Sequence, residues 1–241
     1  YLLRFKSDTR PTLLKFFALI DRQFNKRIKI LRSDNGTEFT CLKDYYETNG
    51  IIHQTSQVDT PQQNGRVERK HRHILNVARA LLFQANLPIF FWGECVLGAV
   101  HLINRTPTPL LHGKTPYEIL FNKPPPMNNI RVFGCLCYAK NINRSKNKFS
   151  SRSIKCVFLG YQFGKKGWRV YDLEHDKYFN SRDVIFIEHN FPYKSISESD
   201  TNISAYNSSN IEATPFLIDP MIVDISSSPE SESEIPAHEI E

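Results

Sequence analysis

The sequence predicts a mixed α/β body, then a small β-barrel, then a disordered acidic tail. Three observations carry this. Helical apolar spacing alternates with short strand-like runs through the first part of the chain. Five short β-type runs crowd residues 130–187, with turn residues between them. The charge is also split. Residues 193–241 hold one base and ten acids, a balance of −9 that leaves +15 for residues 1–192 in a chain of net charge +6.

Size and composition narrow the classes further. The chain has 241 residues, 40% of them hydrophobic, enough for one or two domains with a buried core. No apolar run approaches the ~20 residues of a membrane span. Residue 1 is Tyr and no signal peptide precedes it, so the expectation is a non-secreted piece cut from something longer. The five cysteines are odd in number and lack a C-x-x-C pair. That argues against a disulfide scaffold and a zinc site, and for buried free thiols at Cys135 and Cys137. A basic body with an acidic tail points to a polyanionic partner, most simply nucleic acid.

In order along the chain, residues 1–5 read as the end of a strand. Pro11 opens a helical pattern in which Leu13, Phe16, Phe17, Ile20 and Phe24 share a face. Residues 27–33 read as a buried strand ending at Asp34. Residues 39–48 form a short helix stopped at Gly50, and residues 51–55 a second short strand. Residues 56–64 are polar, contain Pro61 and predict a mobile loop. A long helix follows over 65–85, with Val67, Ile74, Ala78, Leu81 and Leu82 as its apolar stripe and Arg66, Arg69, Lys70, Arg72 and Arg79 largely outside it. Pro88 starts a further helix to about residue 104, burying Phe91, Trp92, Cys95, Val96 and Ala99. Residues 105–128 are a Pro-rich connector. Strands are then expected over 130–138, 154–161, 168–173, 177–180 and 183–187. From residue 195 the chain is Ser- and Glu-rich, with an apolar run at 216–225.

Two carboxylates stand out. Asp34 ends an apolar strand, and in an open α/β sheet ligands gather at the carboxyl ends of strands. Glu68 opens a basic helix. Carboxylates from two elements, with Mg2+ or Mn2+, make a two-metal site for phosphoryl transfer. Each also has a plain reading: Asp34 as the start of an Asp-Asn-Gly turn, Glu68 as a first-turn acid favoured by the helix dipole. Asp8, Glu38, Asp44, Glu47 and Asp59 are further acids, none at a convincing strand end.

The words around the pair are distinctive. S-D-N-G-T-E-F, then T-P-Q-Q-N-G-R-V-E-R-K, resembles the integrase core of Ty1/copia-type LTR retrotransposon Pol polyproteins, and more distantly retroviral integrases. The resemblance continues through L-P-I-F-F-W-G-E, L-I-N-R-T-P-T, G-K-T-P-Y-E, R-V-F-G-C-L-C-Y, K-C-V-F-L-G-Y and S-R-D-V-I-F, covering residues 1 to 192.

The resemblance implies an α/β RNase H-like integrase core over 1–104, lacking its first strand. A connector over 105–128, an SH3-like β-barrel over 129–192 and a disordered acidic spacer over 193–241 would follow. It makes Asp34 and Glu68 the second and third acids of a catalytic triad and ligands of Mg2+ (or Mn2+). The two-metal site is incomplete in this chain because the first Asp precedes it. Between them lie 33 residues, slightly fewer than in the family pattern. Gln62, Gln63 and Asn64 would position a DNA end, and Arg66, Arg69, Lys70 and Arg72 would contact phosphates. The implied partners are retroelement cDNA ends and target DNA, in a homo-oligomeric nucleoprotein complex. An upstream His/Cys zinc module and a downstream reverse transcriptase belong to the same polyprotein. The implied location is the nucleus or a cytoplasmic virus-like particle. The complete parent would insert cDNA by 3′-end processing and strand transfer, and this chain alone is expected to be inactive. The alternative is a non-catalytic DNA- or nucleoprotein-binding remnant of a decayed or domesticated element.

Overall fold

The computed structural model describes residues 1–56, 65–141, 149, 151–161, 164 and 166–196. Residues 1–5 do not form the expected strand; they lead irregularly into a 3-10 turn, Lys6–Asp8. A strand exists only as part of a ladder, and among the described residues none runs beside this segment. Leu2 lies instead against the helix that starts at Trp92, its Cδ1 3.3 Å from where a Gly93 Cβ would stand.

Helix α1 (Thr9–Phe24) begins before Pro11, which sits in the first turn where its missing N–H is not needed. Strand β1 (Ile30–Ser33) pairs in parallel with β2 (Ile52–Thr55), Ile30 opposite Ile52 and Ser33 opposite Thr55. The single helix expected between them is two, α2 (Thr37–Thr40) and α3 (Lys43–Thr48), because Leu42 turns inward at the break and is 2% exposed. Gly50 closes the turn in the left-handed region, φ +66. This unit's buried core is small: Phe17, Leu42, Tyr46 and Ile51.

Helix α4 (Gly65–Gln84) is followed by a 3-10 turn, Ile89–Phe91, and α5 (Trp92–Arg105). Ala78 and Leu81 of α4 are buried, as are Phe91, Cys95 and Ala99. Two expected core residues are not. Val67 is 66% exposed, in a stretch of α4, residues 66–73, whose every residue is exposed. Trp92 is 45% exposed although it shares the helical face of Ala99 and Ile103, because it is the first residue of α5, at the end of that stripe. The connector is not irregular throughout: it holds a 3-10 turn, Pro109–Leu111, and α6 (Pro116–Phe121). Thr115 and Glu118 cap α6 reciprocally, the Glu118 N–H donating to Thr115 Oγ1 at 3.0 Å and the Thr115 N–H to Glu118 Oε2 at 2.7 Å.

Strands β3 (Leu136–Lys140), β4 (Ser153–Tyr161), β5 (Trp168–Asp172), β6 (Lys177–Ser181) and β7 (Val184–Ile187) form an antiparallel sheet in the order β6-β5-β4-β3-β7. The first begins later than expected because the chain still turns at Gly134, φ +77. A Cβ on Gly134 would collide with the Cβ of Ala85, so glycine lets the sheet approach the end of α4. The run C-V-F-L in β4 shows no alternation because both faces are covered. Cys156 and Phe158 pack with Cys135, Cys137, Ala139 and Val170 on one side. Val157 and Leu159 pack on the other with Ala78, Leu81, Phe91, Cys95 and Ala99 of the helices. The buried carboxylate of Glu94 on α5 meets Arg169 of β5 at 3.6 Å, and that guanidinium lies 4.9 Å over the Tyr178 ring. His101 of α5 stacks on Tyr161 at 3.8 Å. Helices α4–α5 and the sheet therefore share one core.

The chain then forms α7 (Pro192–Ile196). The Tyr193 ring contacts Phe91 at 5.7 Å, and its carbonyl accepts from Asn86 Nδ2 at 3.0 Å. The start of the expected spacer thus belongs to the packed body. Residues 197–241, including the apolar run 216–225, lie outside the described residues. Among the described residues no helix is long and apolar enough to cross a membrane.

Candidate active site

Asp34 lies at the carboxyl end of β1, exposed. Its Oδ1 accepts the Gly36 N–H at 3.1 Å, an Asx-type turn. Three bonds hold the end of the strand. Ser33 Oγ donates to the Asp34 carbonyl at 2.7 Å, the Ser56 N–H to the Ser33 carbonyl at 3.1 Å, and Asn35 Nδ2 to the Ser56 carbonyl at 2.9 Å. The D-N-G turn and the strand-end carboxylate are thus the same structure read two ways.

Sequence reasoning gives Glu38 no role, and the structure places it beside Asp34. Gly36 has φ −57, which any residue adopts. What it supplies is space: a Cβ there would stand 2.8 Å from Glu38 Cδ and Oε2 and 3.0 Å from Asp34 Oδ1. Lys6 faces the same carboxylate, its Nζ 3.8 Å from Glu38 Oε1. The available signal is positional, since a first-turn acid of a helix starting right after Asp34 must lie near it. Two neighbouring carboxylates are the kind of oxygen donors that a hard divalent cation takes.

Glu68 lies in the first turn of α4, exposed. Residues 66–73 are all exposed, including Arg66, Arg69, Lys70 and Arg72. The Arg69 guanidinium folds back over the helix start, Nη1 3.3 Å from where a Gly65 Cβ would be. Among the described residues no three His, Cys, Asp or Glu side chains are placed to hold a metal together, so Asp34, Glu38 and Glu68 are not assembled into one site. Gln62, Gln63 and Asn64 lie outside the described residues.

The cysteines take no part. Cys95, Cys135, Cys137 and Cys156 are buried and free, whereas Cys41 is exposed. Desolvation pushes the thiols of Cys95, Cys135 and Cys156 up to about 12.

Comparison with known proteins adds four findings. The family model of the retroviral polymerase SH3-like domain matches residues 135–199, from the start of the antiparallel sheet through α7. The retrovirus-related Pol polyprotein from transposon RE2 of Arabidopsis thaliana is 39% identical over 193 residues, 80% of this chain and 13% of that protein. The retrovirus-related Pol polyprotein from transposon TNT 1-94 of Nicotiana tabacum is 38% identical over 190 residues, 78% of this chain and 14% of that protein. Among solved structures, a simian T-cell lymphotropic virus intasome in complex with a PP2A regulatory subunit aligns with a TM-score of 0.39 at 16% identity, covering 74% of this chain and 62% of that one.

Proposed function

Because the chain belongs to the Ty1/copia-type retrotransposon Pol polyproteins, of which it spans a small, integrase-related part, we propose that it is the DNA-engaging piece of an integrase. In this reading the complete parent inserts retroelement cDNA into target DNA by 3′-end processing and strand transfer. Residues 1–104 are an RNase H-like core without its first strand, and residues 129–192 the SH3-like module that follows it. The β1–α–β2 parallel unit and the antiparallel sheet after it are what support this order.

One observation carries the DNA-binding half. Residues 66–73 of α4 are all exposed, and hold Arg66, Arg69, Lys70 and Arg72. A helix that projects eight consecutive exposed residues, half of them cationic, is built for a partner. Phosphates are the partner those groups suit, through contacts that fix position rather than read sequence.

Asp34 and Glu68 would hold Mg2+ or Mn2+ together with a carboxylate that the family carries on a strand not contained in these 241 residues. The ion when bound supplies charge neutralisation and an activated oxygen for phosphoryl transfer. Asp34 is prepared for such a ligand by its exposure at the strand end and by the Glu38 carboxylate that folds against Gly36 beside it. The proposed setting is a homo-oligomeric nucleoprotein complex in the nucleus or a virus-like particle.

The test is duplex-DNA binding by the 241-residue chain as a function of salt. Affinity should fall steeply with salt. Replacing Arg69, Lys70 and Arg72 by Ala should reduce the salt slope by roughly one for each phosphate no longer neutralised. An unchanged slope would sink the assignment of α4. Strand transfer by the complete parent should vanish in Asp34→Asn and Glu68→Gln.

A further inference from the structure

His53 lies on β2, opposite Leu31 of β1, and its ring reaches the strand-end hydroxyl that precedes Asp34. Its Nε2 stands 2.8 Å from Ser33 Oγ, and Ser33 Oγ stands 2.7 Å from the Asp34 carbonyl. A serine hydroxyl has one proton. A carbonyl only accepts, so that proton is directed at Asp34, and Ser33 Oγ must accept from His53. His53 therefore carries a proton on Nε2, in the neutral tautomer and in the imidazolium alike. Its ring is braced by Tyr46, centroids 4.9 Å apart, and Tyr46 is 1% exposed. Ser33 is itself 9% exposed, so its hydroxyl has little access to water as a substitute partner.

These contacts form a one-way chain from His53 Nε2–H to Ser33 Oγ–H to the Asp34 carbonyl. The other end of Asp34 is held by the Gly36 N–H on Oδ1. We propose that His53 is a positioning residue for Asp34: by accepting no alternative hydrogen bond from Ser33, it locks the hydroxyl onto the Asp34 carbonyl and so fixes the main chain from which the carboxylate projects. The proposal rests on the reading of Asp34 as a metal ligand. Neither Ser33 nor His53 is a ligand in it. The role needs only the N–H donor, so a side chain that offers an amide N–H at the same reach should serve.

The experiment is a Mn2+ titration of the isotope-labelled 241-residue chain, read as paramagnetic broadening of the Gly36 backbone amide. In the wild type that signal should broaden as Mn2+ is added, and Asp34→Asn should abolish the effect. His53→Leu should raise the Mn2+ concentration required by about tenfold, the scale typical of groups that orient a metal ligand. Ser33→Ala, which leaves the His53 ring packed on Tyr46, should do the same, and the double variant should lose no more than either alone. His53→Gln should restore most of the affinity. Unchanged amide positions across α1 and α3 would show that residues 1–56 remain folded. If His53→Leu and Ser33→Ala titrate like the wild type while Asp34→Asn is silent, the positioning role is wrong and the metal reading stands. If His53→Gln behaves like His53→Leu, the ring packs rather than positions, and the proposal fails. If Asp34→Asn still broadens Gly36, the metal reading itself is overturned and the proposal goes with it.

Discussion

The parallel pair β1–β2 leaves Ile30 47% and Ile52 58% exposed, whereas β4, in the middle of the antiparallel sheet, is buried on both faces from Cys156 to Leu159. Parallel strands are ordinarily covered on both sides, whereas among the described residues the side chains clustered with Leu31 and Ile51 come chiefly from α1 and α3. Their buried core has four members, while α4, α5 and the antiparallel sheet share a cluster of eleven backed by a second of six. The candidate metal ligand Asp34 thus sits on the thinly supported part. The helix bearing Glu68 is anchored in the well-supported one, through Ala78 and Leu81.

Unequal cores should give unequal responses to damage. Phe158 is fully buried and meets Phe133, Tyr161, Trp168 and Phe186 edge-on. Phe158→Ala is expected to cost about 3–5 kcal/mol, seen in urea titrations followed by tryptophan fluorescence. Phe17→Ala should cost toward the low end of that range, about 3 kcal/mol or less, because its thinner surroundings can collapse. Amide exchange should rise in α1 and α3 and leave α5 and β4 protected. A single shared transition for both variants would erase the distinction between the two regions.

A smaller effect lies in pH. His101 is half-buried against Tyr161, and desolvation, with Arg105 adding repulsion, lowers its pKa from 6.5 to about 3. The unfolded chain binds that proton more readily than the folded one. Stability should therefore be whole above about pH 6.5 and be lost as pH falls toward 3. The slope for one proton is about 1.4 kcal/mol per pH unit at most. His101→Phe should flatten it in the antiparallel region and leave the acid response of residues 1–56 unchanged. Last, a thiol reagent should label Cys41 in the folded chain at once. It should reach Cys95, Cys135, Cys137 and Cys156 only on unfolding, since burial raises all four thiols. Early labelling of the buried four would mean that the larger core opens as easily as the smaller.

Much of this is legible in the chain. The helical spacing of α4 and α5, the short strands after residue 136 and the strand ending at Asp34 follow from local periodicity. Residues 1–5 mislead because an extended run of apolar residues is a strand only if something pairs with it. The capping box T-P-Y-E that starts α6 is readable too, although the prolines around it give the whole stretch the look of a connector. Glu38 is placed near Asp34 by its position in the first turn of the next helix, but only the structure shows that its carboxylate folds back against Gly36. Val67 looks like core because a helical stripe does not reveal where the supporting surface ends.

Sequence alone therefore determined the order and kind of elements, the split of charge and the words that mark the lineage, since these rest on neighbours along the chain. Tertiary structure decided that the sheet and the helices share one core, with the buried Glu94 of α5 meeting the half-buried Arg169 of β5. It also decided that the cationic residues of α4 are exposed, and that His53, Ser33 and Asp34 are linked end to end. Each of these depends on which surfaces meet across long sequence separations, and periodicity carries no information about that.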